Sequence, residues 1–379
     1  MCRILLVLLI ACAAIAADAV PVKDTVNSAI AAQVSNLMQK NTDKVTAANV
    51  ETIKGLKALL AKNKKDKAAS VLIAVKIHKL DANDVDALGI LKDVPLTSMS
   101  AEETPATNPI VYGPGRQLAA LADQTINESS GLACSRTTPG VFWTHNDSGG
   151  KAEFYAFNLK GEALGNYPLQ GAGAQDWEDM CSFSIAGQSF LLVADVGDNA
   201  VKRKLYSLYV ATEPQKIIKP DKPQPLNLFM RLDFTYEDGS HNCESVGVDP
   251  VRREIVLVSK TSERTCKVYA MPLPVEKTPP QAVAKALATL TIPTTCAMDI
   301  SPDGLRALVL TYGNAFEYTR LADEDWSKGF ARPPRVIEMP ARAQGETACY
   351  GADGVTIYLT SEKIPTPLLE VAPVAKAKE

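Results

Sequence analysis

Asp176-Trp-Glu-Asp-Met180 is one of five related stretches that recur along the chain and decide its fold. The others read Glu128-Ser-Ser-Gly-Leu132, Asn242-Cys-Glu-Ser-Val246, Thr295-Cys-Ala-Met298 and Gly345-Glu-Thr-Ala348. Measured between their last residues, the intervals are 48, 66, 52 and 50 residues. Such intervals match the length of one four-stranded propeller blade, about 40–50 residues. The spacing therefore predicts a mainly β repeat protein.

Short β-rich runs separated by turn residues mark the strands of each repeat. The second repeat is the clearest, with runs at residues 180–185, 189–194, 204–211 and 226–236. The sequence thus favours a β-propeller of five blades. Six blades is the alternative, because the 66-residue interval is unusually long.

The last repeat has three runs, so its fourth strand must come from elsewhere. Residues 117–122, which precede the first repeat, are the expected donor. Pairing the two ends of the repeat region would remove an open sheet edge. We therefore predict a propeller over residues 117–372, followed by a tail at 373–379.

The N-terminal residues have the pattern of an export signal. Arg3 precedes an apolar run, and Ala14-Ile-Ala16 and Ala17-Asp-Ala19 both fit a signal-peptidase site, which predicts a signal peptide over residues 1–19. The run is too short to span a bilayer permanently. Leu9-Ile-Ala-Cys12 also fits a bacterial lipobox, so the alternative is a lipoprotein held on a membrane at Cys12. Export to the periplasm or the exterior is expected in either case.

Residues 23–92 show helical rather than strand periodicity. Ile53, Leu56, Leu59 and Leu60 fall on one helix face, and similar patterns flank them, which predicts a small α-helical domain of three or four helices. Residues 93–116 are rich in Pro, Thr, Ser and Gly and read as a linker.

Composition limits the partners and the cysteine chemistry. A net charge of −3, without a basic patch interleaved with aromatics, predicts no nucleic-acid binding. Six cysteines lie beyond the signal and could form up to three disulfides, with Cys243 and Cys266 as the best pair. The spacings of structural zinc sites are missing.

Unusual polar residues gather at one face of the predicted propeller. They enter the first strand of a blade or follow its second strand, and both places lie at the mouth of the central channel. Carboxylates so close together would repel one another unless protons, basic side chains or a cation offset their charge. Oxygen ligands without a cysteine cluster suit Ca²⁺. The predicted metal ligands are Asp147, Glu178, Asp195 and Glu244, and the predicted ligand-binding residues are Glu128, Asn146, Asp176, Asp179, Asp198, Asn199 and Glu346.

Each of these residues also has a structural interpretation. Asp147-Ser-Gly-Gly150 and Gly197-Asp-Asn199 could simply make turns. Glu178, Glu244 and Glu346 could accept hydrogen bonds from amides of neighbouring strands. His145 and His241 lie on the same face, either as catalytic proton carriers or as satisfied structural residues.

At these residues the chain resembles a group of exported bacterial β-propeller proteins. Their motifs E-S-G-L-A, H-N-D-S-G, W-E-D and G-D-x-G-D-N are matched here, in order, within residues 128–133, 145–149, 177–179 and 195–199. The chain is more distantly similar to esterase-like phytase and gluconolactonase propellers. The resemblance covers residues 126–363 and implies the fold firmly and the chemistry only loosely. Ala297-Met-Asp299 departs from it, which leaves the acidic ring open at the fourth blade.

Two function classes follow. In the first, a channel-mouth Ca²⁺ activates water for hydrolysis of phosphoesters, esters or lactones, with His145 or His241 carrying the proton. In the second, the propeller is a non-catalytic module that binds a small or polymeric extracellular ligand. No G-x-S-x-G nucleophile motif appears. The hydrolase is slightly favoured.

Overall fold

The chain divides into two compact units, Met1–Asn108 and Pro109–Glu379. A computed structural model describes residues 47–62, 73, 110–147, 149–217 and 222–374. The predicted signal peptide, Cys12 and most of the predicted helical domain, linker and tail lie outside these residues. In the N-terminal unit, α1 (Ala47–Lys62) buries Leu56 and Leu60, the i and i+4 residues of its apolar face. None of the described helices has the length and apolar character to cross a membrane.

The C-terminal unit is mainly β, and its strands are short and separated by tight turns. In chain order they are β1 (Arg116–Ala120), β2 (Ser129–Cys134), β3 (Val141–Asn146), β4 (Glu153–Asn158), β5 (Ala163–Gln170), β6 (Trp177–Ile185), β7 (Gln188–Asp195), β8 (Tyr206–Thr212), β9 (Leu226–Tyr236), β10 (Cys243–Asp249), β11 (Glu254–Ser259), β12 (Cys266–Pro272), β13 (Ala282–Leu290), β14 (Thr295–Ile300), β15 (Arg306–Thr311), β16 (Ala315–Thr319), β17 (Arg335–Ile337), β18 (Cys349–Tyr350), β19 (Ile357–Leu359) and β20 (Pro367–Val371). A short helix, α2 (Trp326–Ala331), precedes β17 and is capped by Asp325.

These strands pair into antiparallel ladders of four. The first ladder is β2 to β5, the second β6 to β9, the third β10 to β13 and the fourth β14 to β17. The fifth ladder is β18 to β20 with β1. Hydrogen bonding is not continuous between all ladders, since β9 pairs in parallel with the ends of β5 and β13 while the fourth and fifth ladders remain separate sheets.

The predicted pairing of residues 117–122 with the last repeat is confirmed. β1 pairs antiparallel to β20, with Arg116 opposite Glu370 and Ala120 opposite Pro367. A salt bridge of 2.7 Å joins the Arg116 guanidinium to the Glu370 carboxylate. A strand from before the first repeat therefore covers the outer edge of the last one, which would otherwise be exposed for pairing with another chain.

The core is divided into five apolar clusters, and each lies between two consecutive ladders. They join the first to the second ladder, the second to the third, the third to the fourth, the fourth to the fifth and the fifth to the first. The innermost strands, β2, β6, β10, β14 and β18, likewise contact one another in sequence and from β18 back to β2. Ladders that pack face to face around their first strands give a propeller-like fold.

The predicted disulfide between Cys243 and Cys266 does not form. Cys243 lies on β10 and Cys266 on β12, and β11 separates them in the ladder. Two strand spacings are about 9.6 Å, beyond the roughly 7 Å that a disulfide tolerates between Cα atoms. The six cysteines of the described region are all buried free thiols, and Cys243 donates to the Val258 carbonyl at 3.3 Å.

Candidate functional site

A β-bulge at one repeat position brings polar side chains to the ends of the inner strands. The pairing register between first and second strands shifts between Ser129 and Gly131, and likewise between Trp177 and Asp179. The third and fourth ladders shift at the corresponding place. A bulge leaves one residue out of the ladder and re-aims its side chain. The residues released in this way are Ser130, Glu178, Glu244 and Cys296.

A second set of side chains follows the second strand of each ladder. Three backbone amides donate at 2.9 Å to a carbonyl that precedes the inner strand of their own ladder, namely those of Asp147, Lys260 and Glu362. Val196 makes the same bond in the second ladder at 3.1 Å, and Tyr312 directly follows β15 in the fourth. These residues therefore occupy equivalent repeat positions, although their chemistry differs.

The two sets meet in an acidic cluster, defined as Asp147, Asp176, Glu178, Glu244, Glu346 and Glu362. Among the described residues, carboxylate oxygens of Asp147, Asp176 and Glu178 lie within 4.8 Å of one another. The oxygens of Asp147, Glu346 and Glu362 form a second such group. Asp147 belongs to both, so its carboxylate lies where the two groups join.

The acidic cluster is desolvated, and the carboxylates within it repel one another. Burial, followed by repulsion from the Glu244 and Asp147 carboxylates, raises the pKa of Glu178 to about 11. Burial raises the pKa of Glu362 to about 8, with an added contribution from its hydrogen bond to Glu346. The cluster cannot carry its full negative charge without protons or cations to offset it.

Lys260 and Tyr312 occupy the remaining side of the cluster. The Lys260 ammonium forms an ion pair with Glu244 and donates a hydrogen bond to the Tyr312 hydroxyl at 2.8 Å. It lies 4.0 Å from a Glu346 oxygen, and the Tyr312 hydroxyl donates to that same oxygen at 2.6 Å. Burial raises the pKa of Glu244 to about 7 even though Lys260 opposes the shift. Where the fourth repeat lacks an acidic residue, the acidic cluster is therefore bordered by the Tyr312 hydroxyl and the Lys260 ammonium.

Asp179, a predicted ligand-binding residue, has a structural environment. Its carboxylate is fully buried and accepts the backbone amides of Met180 and Val246 at 2.8 Å and of Met298 at 3.0 Å. Asp179 thus joins β6 to β10 and β14. The sequence analysis offered this role, accepting hydrogen bonds from amides of neighbouring strands, for the glutamates and not for Asp179. Asp299 does the same for Tyr350 at 2.8 Å. The sequence analysis missed this role of Asp299, which lies on β14 directly after Met298.

Asp195 and Asp198 organise the loop after β7 and belong to neither carboxylate group. Asp195 accepts the amides of Gln175 at 3.0 Å and Asp176 at 3.2 Å and pairs with Arg203 at 2.8 Å. Asp198 accepts the Lys202 and Arg203 amides at 2.9 and 2.8 Å. They hold in place the segment that carries Asp176, so their contribution to the acidic cluster is indirect.

Both histidines form hydrogen bonds to groups outside the acidic cluster. His145 is fully buried, stacks edge-on against Trp177 and bonds through Nδ1 to the Asn146 carbonyl at 2.9 Å. Burial lowers its pKa to about 4. His241 bonds through Nε2 to Asp238 at 2.8 Å and to the Tyr269 hydroxyl at 2.7 Å. Within the described residues, neither imidazole joins either carboxylate group.

The remaining predicted ligand-binding residues lie at the rim. Glu128 is exposed, and its amide donates to the Asn146 side chain at 3.2 Å. Asn146 in turn donates to the Thr125 carbonyl at 2.7 Å, and Asn199 accepts from the Asn242 amide group at 3.2 Å. These contacts shape turns. Lys260 and Tyr312 were missed by the sequence analysis, although their position directly after a second strand was the available signal.

Comparisons with known proteins provide no assignment of function. No protein-family model matches the chain, and no curated protein matches it. Among solved structures, the chain is similar to one described as the Dos1 propeller, with 10% sequence identity and a TM-score of 0.33. The match covers 66% of this chain and 69% of that one.

Proposed function

We propose that residues 110–374 form a five-bladed propeller, with one blade for each ladder. The five apolar clusters support this count, and so does β1, which supplies the last blade's fourth strand. In the described part of the long repeat interval only β6 to β9 occur, which favours five blades over six. We further propose that an export signal at residues 1–19, or acylation at Cys12, precedes a helical domain at 23–92 and a linker at 93–116.

We also propose that the acidic cluster binds calcium. The observation that carries this proposal is the Asp147 carboxylate, which is shared by two groups of three carboxylates. Hard oxygen donors suit Ca²⁺, which accepts six to eight of them. Gly197 supports the fit of these residues to a cation, because a Cβ at this position would overlap the Asp176 and Glu178 carboxylates. The backbone is thus kept clear for these two side chains.

The charge of the site supports two calcium positions. If all are ionised, the six carboxylates of the acidic cluster and the Lys260 ammonium together carry a charge of −5. Two divalent cations that share Asp147 would reduce this to −1. A protein with one ion would retain −3, which opposes further ionisation in a partly buried site. In this proposal Asp147 would help to hold both ions, Asp176 and Glu178 would hold one of them, and Glu346 and Glu362 would hold the other.

The reaction class that we propose is metal-assisted hydrolysis of phosphoesters, esters or lactones. Calcium would supply Lewis-acid polarisation of the substrate oxygen and a more acidic bound water. The chain's residues hold and orient the ligand oxygens: Asp195 fixes the Asp176 segment, and the bulges fix Glu178 and Glu244. Tyr312, which is 42% exposed, presents a hydroxyl at the edge of the site.

The second candidate is a non-catalytic, calcium-dependent binding module. The observation that favours it is the bonding of the histidines, because among the described residues neither His145 nor His241 belongs to either group of carboxylates. The proton carriers expected from the sequence are therefore not at the proposed centre. A small or polymeric extracellular ligand would then bind through calcium without being cleaved.

Calcium titration calorimetry tests the metal site. We expect about two calcium ions per wild-type chain and loss of both, or at least roughly tenfold weaker binding, in Asp147→Asn, because one shared ligand is weakened. Asp323→Asn, at an exposed acid in another part of the chain, is the matched control and should bind as wild type does. An absence of calcium binding in the wild type, or unchanged binding in Asp147→Asn, would contradict the proposal.

An activity screen separates the two candidates. With calcium present, the purified protein should turn over a member of a phosphoester, aryl ester and lactone panel, and Glu178→Gln should abolish that turnover. Asp323→Asn should retain it. If nothing on the panel is hydrolysed, yet a glycan or other polymer is retained only with calcium, the binding module replaces the hydrolase.

A further inference from the structure

One side of the acidic site already contains a cation, the ammonium of Lys260. Its amide makes the same 2.9 Å bond as the amides of Asp147 and Glu362, so a basic residue stands where two other ladders place a carboxylate. The side chain is 19% exposed, and the Glu244 and Glu346 side chains beside it are 6% exposed each. A partly buried ammonium lies between two buried carboxylates.

The surroundings of this ammonium are those of a small oxygen-lined cation position. Glu244 is its ion-pair partner, the Tyr312 hydroxyl lies 2.8 Å away and a Glu346 oxygen lies 4.0 Å away. The Tyr312 ring also lies 4.9 Å from Nζ, which adds a cation–π contact. The three oxygen-bearing groups come from the third, fourth and fifth ladders, so the ammonium joins them around a common centre.

We propose that Lys260 is a built-in cation that occupies a third position of the site and excludes a metal ion from it. This inference rests on the proposed calcium site, because it concerns how many ions that site accepts. Removing the ammonium would leave Glu244 and Glu346 facing each other without a counter-charge. The vacated position would then bind one more calcium than the wild-type protein does.

Charge supports the same result. With two calcium ions the wild-type site carries −1, and replacing Lys260 by a neutral residue makes it −2. A third calcium would bring that variant to zero. A lysine at this position therefore sets the number of metal ions and leaves the Tyr312 side of the site to a ligand rather than to metal.

Calcium stoichiometry by calorimetry and equilibrium dialysis tests the inference. Lys260→Gln should bind one more calcium per chain than wild type, and Lys260→Arg should bind the same number. Lys267→Gln is the matched control, since Lys267 forms a more exposed ion pair with Asp238, and its stoichiometry should not change. Equal stoichiometry in Lys260→Gln and wild type would overturn the inference.

The outcomes distinguish this inference from the proposed function. If wild type binds no calcium and Lys260→Gln binds one, the calcium function fails while the role of Lys260 stands. If neither binds calcium, both fail. The double variant Lys260→Gln/Glu244→Gln removes both charges and should return to the wild-type number, and a third ion in it would overturn the inference.

The stability of the variant provides a second readout. Lys260→Gln should unfold at a lower temperature than wild type without calcium, because it leaves a buried carboxylate unpaired. Saturating calcium should restore most of that loss, since the metal replaces the ammonium. A variant that is equally unstable, or unfolded, with and without calcium would overturn the inference.

Discussion

Asp179→Ala should strongly destabilise the C-terminal unit, because Asp179 links three inner strands. Its carboxylate accepts the Val246 amide of β10 at 2.8 Å and the Met298 amide of β14 at 3.0 Å, in addition to the Met180 amide of its own strand. The residue is fully buried, so water cannot replace the lost acceptor. The substitution therefore tests whether buried acids at the centre of the ring hold the ladders together.

The magnitude follows from the two amides that connect different ladders. A buried amide without a partner costs about 1–3 kcal/mol, so the loss is about 2–6 kcal/mol in the free energy of unfolding. Burial raises the Asp179 pKa well above its usual range, and the associated cost of burying this acid offsets part of the loss. We expect a net destabilisation of about 3 kcal/mol, or roughly 6–12 °C in the melting temperature of a domain of this size.

Urea unfolding monitored by tryptophan fluorescence measures the effect. Asp179→Asn should lie between the alanine variant and wild type, because its one amide oxygen can still accept the Val246 and Met298 amides while its –NH2 group faces the Met180 N–H. The exposed control Asp323→Ala should stay within about 0.5 kcal/mol of wild type. A loss below about 1 kcal/mol in Asp179→Ala would refute the view that this carboxylate supports the neighbouring ladders.

Three further predictions concern the acidic site and a buried ion pair. Burial raises the folded-state pKa of Glu244 to about 7, of Glu362 to about 8 and of Glu178 to about 11 from an ordinary 4.5, so in calcium-free protein these groups should cost no stability below about pH 4.5 and progressively more as the pH rises through these values. Melting curves with calcium should flatten this dependence, and a calcium-free curve that rises with pH would contradict it. Gly197→Ala should weaken calcium binding by about tenfold in calorimetry, because the added methyl displaces ligand carboxylates; unchanged affinity would count against the site. Arg320→Met should destabilise the protein by about 3–5 kcal/mol in urea unfolding, because it leaves the fully buried Asp249 without its 2.8 Å partner, whereas a loss under 1 kcal/mol would show that the pair is dispensable.

The acidic site was only partly predictable from sequence. Repeat alignment placed Glu178 and Glu346 at corresponding first-strand positions and Asp147 after a second strand, and the structure brings Asp147 into contact groups with each of them. It could not separate Asp179 from Glu178, which are adjacent residues. A bulge places Glu178 among carboxylates and leaves Asp179 among backbone amides. That distinction depends on strand register, which the identities of neighbouring residues do not specify.

The sequence by itself determined the repeat, the strand content and the pairing of the first strand with the last repeat. Regular spacing and alternating apolar runs depend on local chemistry and on the length of one structural unit, so they can be read along the chain. The pairing of β1 with β20 followed from counting strands, since an unpaired edge is unfavourable.

Only the tertiary structure decided the contacts between residues far apart in the chain. Cys243 and Cys266 looked like a disulfide pair because the loop ends seemed close, yet an intervening strand separates them. The one sequence signal of Lys260 was its position directly after a second strand, and its role comes from Glu244 of its own ladder and Tyr312 of the next one. Pairing between ladders sets distances that sequence separation does not encode, and those distances decide which charges meet.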